Sequence, residues 1–65
     1  MNILIIGNGG RESALGLKFL QSPQVAAVYV APGNAGMPRL GLVPVDIDVD
    51  DFPSLIAFAR QHAIA

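Results

Sequence analysis

The first fifteen residues, MNILIIGNGGRESAL, constrain the fold more than any other part of the chain. Residues 3–6 are all apolar and run directly into the glycine-rich residues 7–10. An apolar run without alternation is typical of a strand in the middle of a parallel sheet, buried on both faces. Glycines allow a tight turn after it, and apolar residues at helical spacing over residues 11–21 predict a helix. The order of strand, glycine turn and helix predicts an α/β fold with a parallel sheet.

The middle of the chain predicts two further strands. Residues 25–31 are rich in β-branched and aromatic residues and end at Pro32-Gly33, which predicts the second strand. Residues 32–41 are rich in Gly and Pro and predict a loop that can include one helical turn. In residues 42–49 apolar residues alternate with Pro or Asp, so this third strand should have one buried face. Because Pro44 has no N–H, it should lie at a sheet edge.

A second helix is predicted after residue 50, with Asp50 or Asp51 as its N-cap and Pro53 in its first turn. The expected apolar stripe comprises Phe52, Leu55, Ile56, Ala59 and Ala63. Residues 63–65 resemble the start of a further strand.

That further strand matters because a doubly wound sheet of order 3-2-1-4 uses it to cover the free edge of the first strand. Without it, the first strand would present unpaired backbone. We therefore expect residues 1–65 to be the amino-terminal part of a larger Rossmann-like domain, truncated after about three strands and two helices. Alone, the fragment should self-associate through its first-strand edge.

Composition excludes several classes of function. With 52% hydrophobic and 14% charged residues the chain is too apolar to be disordered, and without cysteine it has no disulfide or thiolate metal site. The net charge is −1 and the four cations are scattered, which argues against a nucleic-acid partner. The first apolar run is short and lacks a basic leader, so neither a signal peptide nor a membrane span is expected. A cytoplasmic location is the expectation.

The glycine turn does not match a dinucleotide site. That fingerprint needs G-x-G-x-x-G and an acidic residue at the end of the second strand. Gly7 and Gly9 fit, but Glu12 stands where the third glycine should be, and the second strand ends at Ala31-Pro32 without a carboxylate. The Walker A sequence Gly-Lys-Ser/Thr is absent as well.

A small phosphate is an alternative ligand for this turn. The N–H groups that open the following helix are unpaired and carry the positive end of the helix dipole. A phosphate monoester could bind there through the main chain, with Arg11 as counter-charge. The spacing alone equally allows a purely structural turn, in which Arg11 is solvated and Glu12 favours the helix N-terminus.

Two other features of the sequence resemble functional sites. Asp46, Asp48 and Asp50 are spaced like the start of a calcium loop, but Asp51 and Ala57 stand where that loop needs Gly and Glu. These carboxylates are interpreted as the solvated face of the third strand. The single histidine, His62, lies at the predicted end of the second helix and has no spacing to a catalytic partner. No catalytic residue and no metal ligand is predicted.

Two motifs carry a resemblance to a known family: GNGGRE at residues 7–12 and APGNAG at residues 31–36. Together they resemble the amino terminus of the glycinamide ribonucleotide synthetases, the phosphoribosylamine–glycine ligases, and the similarity covers all 65 residues. The resemblance implies a Rossmann-like pre-ATP-grasp domain of an enzyme of de novo purine biosynthesis. Such an enzyme joins glycine to 5-phosphoribosylamine and hydrolyses ATP to ADP and phosphate. ATP and Mg (or Mn) would bind outside this segment, which would be inactive alone.

The resemblance also implies where the substrate binds. It places on the phosphoribosylamine side of the cleft Gly9, Gly10, Arg11, Glu12, Pro32, Gly33, Asn34 and Gly36. Asn34 could bond a sugar hydroxyl as donor and acceptor, or serve only as a turn residue. The family usually has His where this chain has Ser13, which puts any role of that imidazole in doubt.

Two other classes of function stay open on the sequence. One is a different Rossmann-like enzyme, such as an NAD-dependent dehydrogenase or another ATP-grasp ligase. The other is a small non-catalytic module that pairs through its apolar edge.

Overall fold

The computed structural model describes all 65 residues and shows a three-stranded parallel sheet with two helices. The strands are β1 (Asn2–Gly7), β2 (Ala27–Pro32) and β3 (Val43–Pro44), and the helices are α1 (Gly10–Leu20) and α2 (Phe52–Gln61). A single 3₁₀ turn, Met37–Leu40, lies in the predicted loop between β2 and β3. No helix has the length and apolar character needed to cross a membrane.

The strand order is β1-β2-β3, with both neighbouring pairs parallel. β1 and β2 are paired along their whole length, from Asn2 opposite Ala27 to Gly7 opposite Pro32. On the other side of β1, Ile64 forms a parallel bridge with Asn2, and the N–H of Ala65 donates to the Asn2 carbonyl at 3.0 Å. The chain therefore returns to the free edge of β1, as the predicted order 3-2-1-4 requires.

The two helices lie on opposite faces of the sheet, with α1 packed on one face and α2 in contact with the other through Phe58. Val28 and Val30 of β2 are fully buried in a cluster with Ile5, and Phe19 and Leu20 of α1 pack against this cluster. Side chains of successive strand residues point to opposite faces, so Tyr29 faces the other way. Its ring contacts Phe58 of α2 edge-to-face, with centroids 5.0 Å apart. The start of α1 and the loop that follows β2 both lie at the carboxyl edge of the sheet.

The predicted third strand over residues 42–49 is wrong in length, because β3 contains only Val43 and Pro44. Pairing continues as far as a hydrogen bond from the Val45 N–H to the Val30 carbonyl, 2.8 Å long. The next bond of a parallel ladder would need an N–H from residue 32, which is Pro32. The Val45 carbonyl instead accepts the N–H of Ile47 at 2.8 Å, and the chain turns away. The prediction that this strand lies at a sheet edge is confirmed.

Predicted burial is also wrong at several positions. β1 is not buried on both faces, since Ile6 is 50% exposed, and in α2 Phe52 and Ile56 are 65% and 54% exposed. In α1 the buried residue is Gly16, which is not one of the apolar residues at helical spacing. A Cβ at Gly16 would lie 2.7 Å from a methyl group of Leu42. Glycine here allows close helix packing, and the flanking Leu15 and Leu17 are exposed.

The free edge of β1 leads to a testable prediction. Ile64 and Ala65 pair only with Asn2, which leaves the rest of β1 without a partner on that side. An unpaired apolar strand recruits other strands, so the 65-residue chain is expected to form dimers or larger species as its concentration rises. Sedimentation velocity across a concentration series measures this. A stable monomer at high concentration would contradict the prediction.

Candidate functional site

Two loops meet at the carboxyl edge of the sheet: the glycine turn (residues 7–10), which joins β1 to α1, and the second loop (residues 31–36), which follows β2. The N–H of Gly33 donates to the Gly7 carbonyl at 3.0 Å. The side-chain amide of Asn34 donates to the Asn8 carbonyl at 2.8 Å. The two motifs, far apart in sequence, are therefore bonded directly to each other. This edge is where open parallel sheets bind their ligands.

The glycine turn is shaped by the side chain of Glu12. Gly7 has φ +150°, and a Cβ there would lie 2.5 Å from Cγ of Glu12. A Cβ at Gly9 would lie 3.1 Å from the Glu12 carboxylate. A Cβ at Gly10 would meet nothing within 4 Å. Gly7 and Gly9 thus make room for Glu12, whereas Gly10 borders open space from which a ligand can approach.

Glu12 caps its own helix. Gly9 is the N-cap of α1, and its N–H donates to the Glu12 carboxylate at 3.0 Å. The capping bond places a negative charge at the positive end of the helix dipole. The structural role that the sequence left open for Glu12 is thus present in the structure.

Replacing Glu12 tests this capping role. Glu12→Ala should destabilise the chain by about 1 kcal/mol, since one hydrogen bond to a helix N-terminus is lost. Glu12→Gln keeps an acceptor oxygen and should lose less. Urea unfolding followed by far-UV circular dichroism measures both. Equal stability of Glu12→Ala and the unsubstituted chain would show that the bond contributes nothing.

Three backbone donors remain at the start of α1. The first intrahelical bond runs from the Ser13 N–H to the Gly9 carbonyl at 3.1 Å, so the N–H groups of Gly10, Arg11 and Glu12 have no acceptor within the helix. Arg11 is exposed beside them. Three N–H groups without a helical acceptor and one exposed cation at the start of a helix suit an oxyanion such as a phosphate.

Asn34 uses both ends of its amide within the protein. Its nitrogen donates to the Asn8 carbonyl, and its oxygen accepts the N–H of Gly36 at 2.9 Å. These two bonds fix the orientation of the amide, because the nitrogen can only donate and the oxygen only accept. Asn34 is therefore both a turn residue and a link between the two loops. Both polar atoms of its amide bond the backbone, although Asn34 itself is exposed.

Gly33 is the closely packed glycine of the second loop. Gly33 has φ +70°, and a Cβ there would lie 2.8 Å from Cβ of Pro44 and 3.0 Å from the Val30 carbonyl oxygen. The peptide bond between Ala31 and Pro32 is cis. All eight predicted substrate-side residues lie in or next to the two bonded loops.

The remaining candidates lie elsewhere. The carboxylates of Asp46, Asp48 and Asp50 are exposed, and no three His, Cys, Asp or Glu side chains of the chain come together as metal ligands do. Asp51 is the N-cap of α2 and accepts the Ser54 N–H at 3.3 Å. This confirms one of the two predicted caps.

His62 packs at the opposite end of β1 from the glycine turn. Its ring stacks on Phe58 with centroids 3.9 Å apart, and its carbonyl accepts a bond of 2.7 Å from the side chain of Asn2. The contacts are those of a packed aromatic residue.

One residue of the contact between the two loops was not predicted from the sequence. Asn8 acts through its backbone carbonyl, which accepts from Asn34 26 residues later. A main-chain acceptor has no residue-type signature, so only the spatial meeting of the two loops identifies it.

The fold and the site together define a Rossmann-like α/β domain with two glycine-rich loops at the carboxyl edge of its sheet. Residues 1–65 match the family described as phosphoribosylglycinamide synthetase, N domain. The chain belongs to this family.

Relatives in several bacteria carry the name phosphoribosylamine–glycine ligase. The protein from Yersinia pestis is 58% identical over 65 residues, and those from Vibrio cholerae and Lactococcus lactis are 54% and 52% identical over 65 and 64 residues. Each match covers 98% of this chain and 15–16% of the relative. The chain thus spans about one sixth of the length of these relatives.

Proposed function

We propose that this chain forms the phosphoribosylamine side of the cleft in a phosphoribosylamine–glycine ligase. One observation carries the proposal: two glycine-rich loops bonded to each other at the carboxyl edge of the sheet, beside unpaired N–H groups and the exposed Arg11. A phosphorylated sugar offers a dianionic phosphate for the helix start and hydroxyls for the adjacent loop. Membership of the family supports the choice of this sugar.

The role proposed for these residues is binding and orientation. In the proposed reaction, glycine is joined to the amine of 5-phosphoribosylamine, and ATP is hydrolysed to ADP and phosphate. The N–H groups of Gly10 and Arg11 would hold the 5-phosphate, with the Arg11 guanidinium as counter-charge. The phosphate would approach from the side of Gly10, because Glu12 occupies the side of Gly7 and Gly9.

ATP and its metal ion do not fit the residues of this chain. A magnesium–nucleotide site uses carboxylates or a phosphate loop with lysine, and the chain has neither a group of three such ligands nor a Gly-Lys-Ser/Thr sequence. In the proposal ATP and Mg (or Mn) therefore bind in ATP-grasp domains outside residues 1–65. We also propose that residues 1–65 belong to a pre-ATP-grasp domain and that the enzyme is cytoplasmic.

A dinucleotide is the weaker candidate for this edge. Glu12 stands at the position of the third glycine of the fingerprint, and its carboxylate lies against Gly7 and Gly9 where the two phosphates would approach. A carboxylate at that point repels a pyrophosphate.

A chimeric enzyme tests the proposed function. The matching amino-terminal residues of the Yersinia pestis relative are replaced by residues 1–65 of this chain, and ligase activity is measured as phosphate release with ATP, glycine and phosphoribosylamine. The chimera is expected to be active, and the 65-residue chain alone to release no phosphate above background. A folded but inactive chimera, or turnover by the pure 65-residue chain, would refute the proposal.

A further inference from the structure

We propose that Asn34 is a positioning residue: its side-chain bond to the Asn8 carbonyl holds the glycine turn and the second loop at the separation that phosphoribosylamine requires. The inference rests on the proposed function and adds a role that differs from direct contact with the sugar. It follows from where the Asn34 amide atoms are bonded.

The first step is that few bonds join the two loops at their tips. The backbone bond from Gly33 to Gly7 belongs to the end of the β1–β2 ladder and sets the spacing at the base. Beyond it, the Asn34 amide is the one side chain that donates from the second loop to the glycine turn. Removing that donor leaves the base joined and the tips free to separate.

The second step is that Asn34 is itself held in place. Its oxygen accepts the Gly36 N–H at 2.9 Å, and its own carbonyl accepts the Met37 N–H at 3.2 Å. Met37 is fully buried in the core. The amide therefore connects the glycine turn, through the 3₁₀ turn, to a fixed point of the hydrophobic core.

The third step is the effect on the anion site. The carbonyl of Asn8 belongs to the peptide group that leads into the N-cap Gly9, so the Asn34 bond should also constrain the direction in which the first N–H groups of α1 point. Binding of a phosphate by main-chain donors depends on that direction, because hydrogen bonds weaken steeply when misaligned. A loose turn should weaken phosphoribosylamine binding and leave ATP and glycine unaffected.

Two substitutions separate the possible roles of Asn34. Asn34→Ala removes both side-chain bonds. Asn34→Asp keeps the acceptor for the Gly36 N–H but has no donor for the Asn8 carbonyl, so it preserves the turn and removes the link. Asn2→Ala is the matched control, because Asn2 also donates from its amide to a distant backbone carbonyl, that of His62, at the other end of β1.

The variants are made in the chimeric ligase, and two quantities are measured. Hydrogen–deuterium exchange of the peptide containing residues 7–13, without substrate, reports on the link itself. Steady-state kinetics give KM separately for phosphoribosylamine, glycine and ATP. In both Asn34 variants we expect faster exchange of this peptide and a KM for phosphoribosylamine raised by about tenfold, as the loss of one hydrogen bond allows. Asn2→Ala should change neither.

Each alternative outcome overturns a specific part of the proposed role of Asn34 or of the proposed function. A normal KM in Asn34→Asp would mean that Asn34 is only a turn residue. A raised KM with unchanged exchange would mean that Asn34 contacts the substrate directly, and faster exchange with a normal KM would mean that the link has no role in binding. An inactive unsubstituted chimera would refute the proposed function itself, while faster exchange in the variants would still establish the link.

Discussion

Gly33→Ala is expected to destabilise the chain by about 2–4 kcal/mol. The residue has φ +70°, a conformation that costs an L-residue energy because Cβ crowds the following carbonyl. Its Cβ would also lie 2.8 Å from Cβ of Pro44 and 3.1 Å from the sulfur of Met37, which is fully buried. Such a loss is a large share of the stability of a domain of this size.

Gly10→Ala is the matched control for that substitution. Gly10 is the first residue of α1, and a Cβ there has no neighbour within 4 Å. Alanine in place of glycine in a helix is favourable by roughly 0.5–1 kcal/mol, so this variant should be as stable as the unsubstituted chain or slightly more stable. Urea unfolding of both variants, with soluble yield as a second measure, tests the pair. Equal stability of the two variants would contradict the packing argument.

Much of the fold could be predicted because local signals agree with the global arrangement. The apolar run of β1, the glycines after it and the helical spacing of α1 all indicate the same strand–turn–helix unit. Pro44 correctly indicated an edge strand, and residues 63–65 correctly indicated a chain returning to β1. These features depend on residues close in sequence or on the backbone chemistry of proline.

The wrong predictions have a shared cause, which is that the deciding partner lies far away in sequence. The alternation in residues 42–49 is a good strand pattern, but the neighbouring strand offers no N–H at Pro32, so the ladder stops. Ile6 and Ile56 have apolar side chains at expected core positions, but no element of the 65 residues covers them. Gly16 is buried because Leu42 packs onto it, which the apolar stripe of α1 alone does not indicate.

In the candidate site, too, local features could be predicted from the sequence and contacts between distant residues could not. The motifs at residues 7–12 and 31–36 identified the loops, and parallel strands brought them to one edge as expected. The sequence could state which bonds Asn34 and Glu12 are able to make, but not with which groups. In the structure both side chains bond to backbone of the glycine turn or its neighbours, which makes them structural supports. Arg11 is the residue whose charge is left for a ligand.

Arg11→Ala in the chimeric ligase is therefore expected to weaken the apparent affinity for phosphoribosylamine by roughly 10- to 100-fold, with much smaller effects on ATP and glycine. A charge-assisted contact to phosphate is worth on the order of 1.5–3 kcal/mol, and Arg11 is exposed, so its removal leaves the turn intact. Arg60→Ala is the control, because it removes the same charge from an exposed position in the last turn of α2.

Gly10→Val probes the same anion site by shape instead of charge. The open space around Gly10 lets the fold accept the larger side chain, which then stands where the phosphate approaches the helix start. A rise in KM for phosphoribosylamine in both Arg11→Ala and Gly10→Val, but not in Arg60→Ala, would place the phosphate at the glycine turn. A phosphate held by the start of α1 must lose affinity when its neighbouring cation is removed. If Arg11→Ala leaves the KM for phosphoribosylamine unchanged, or raises the KM for ATP equally, the turn is a structural bend and the phosphate binds elsewhere.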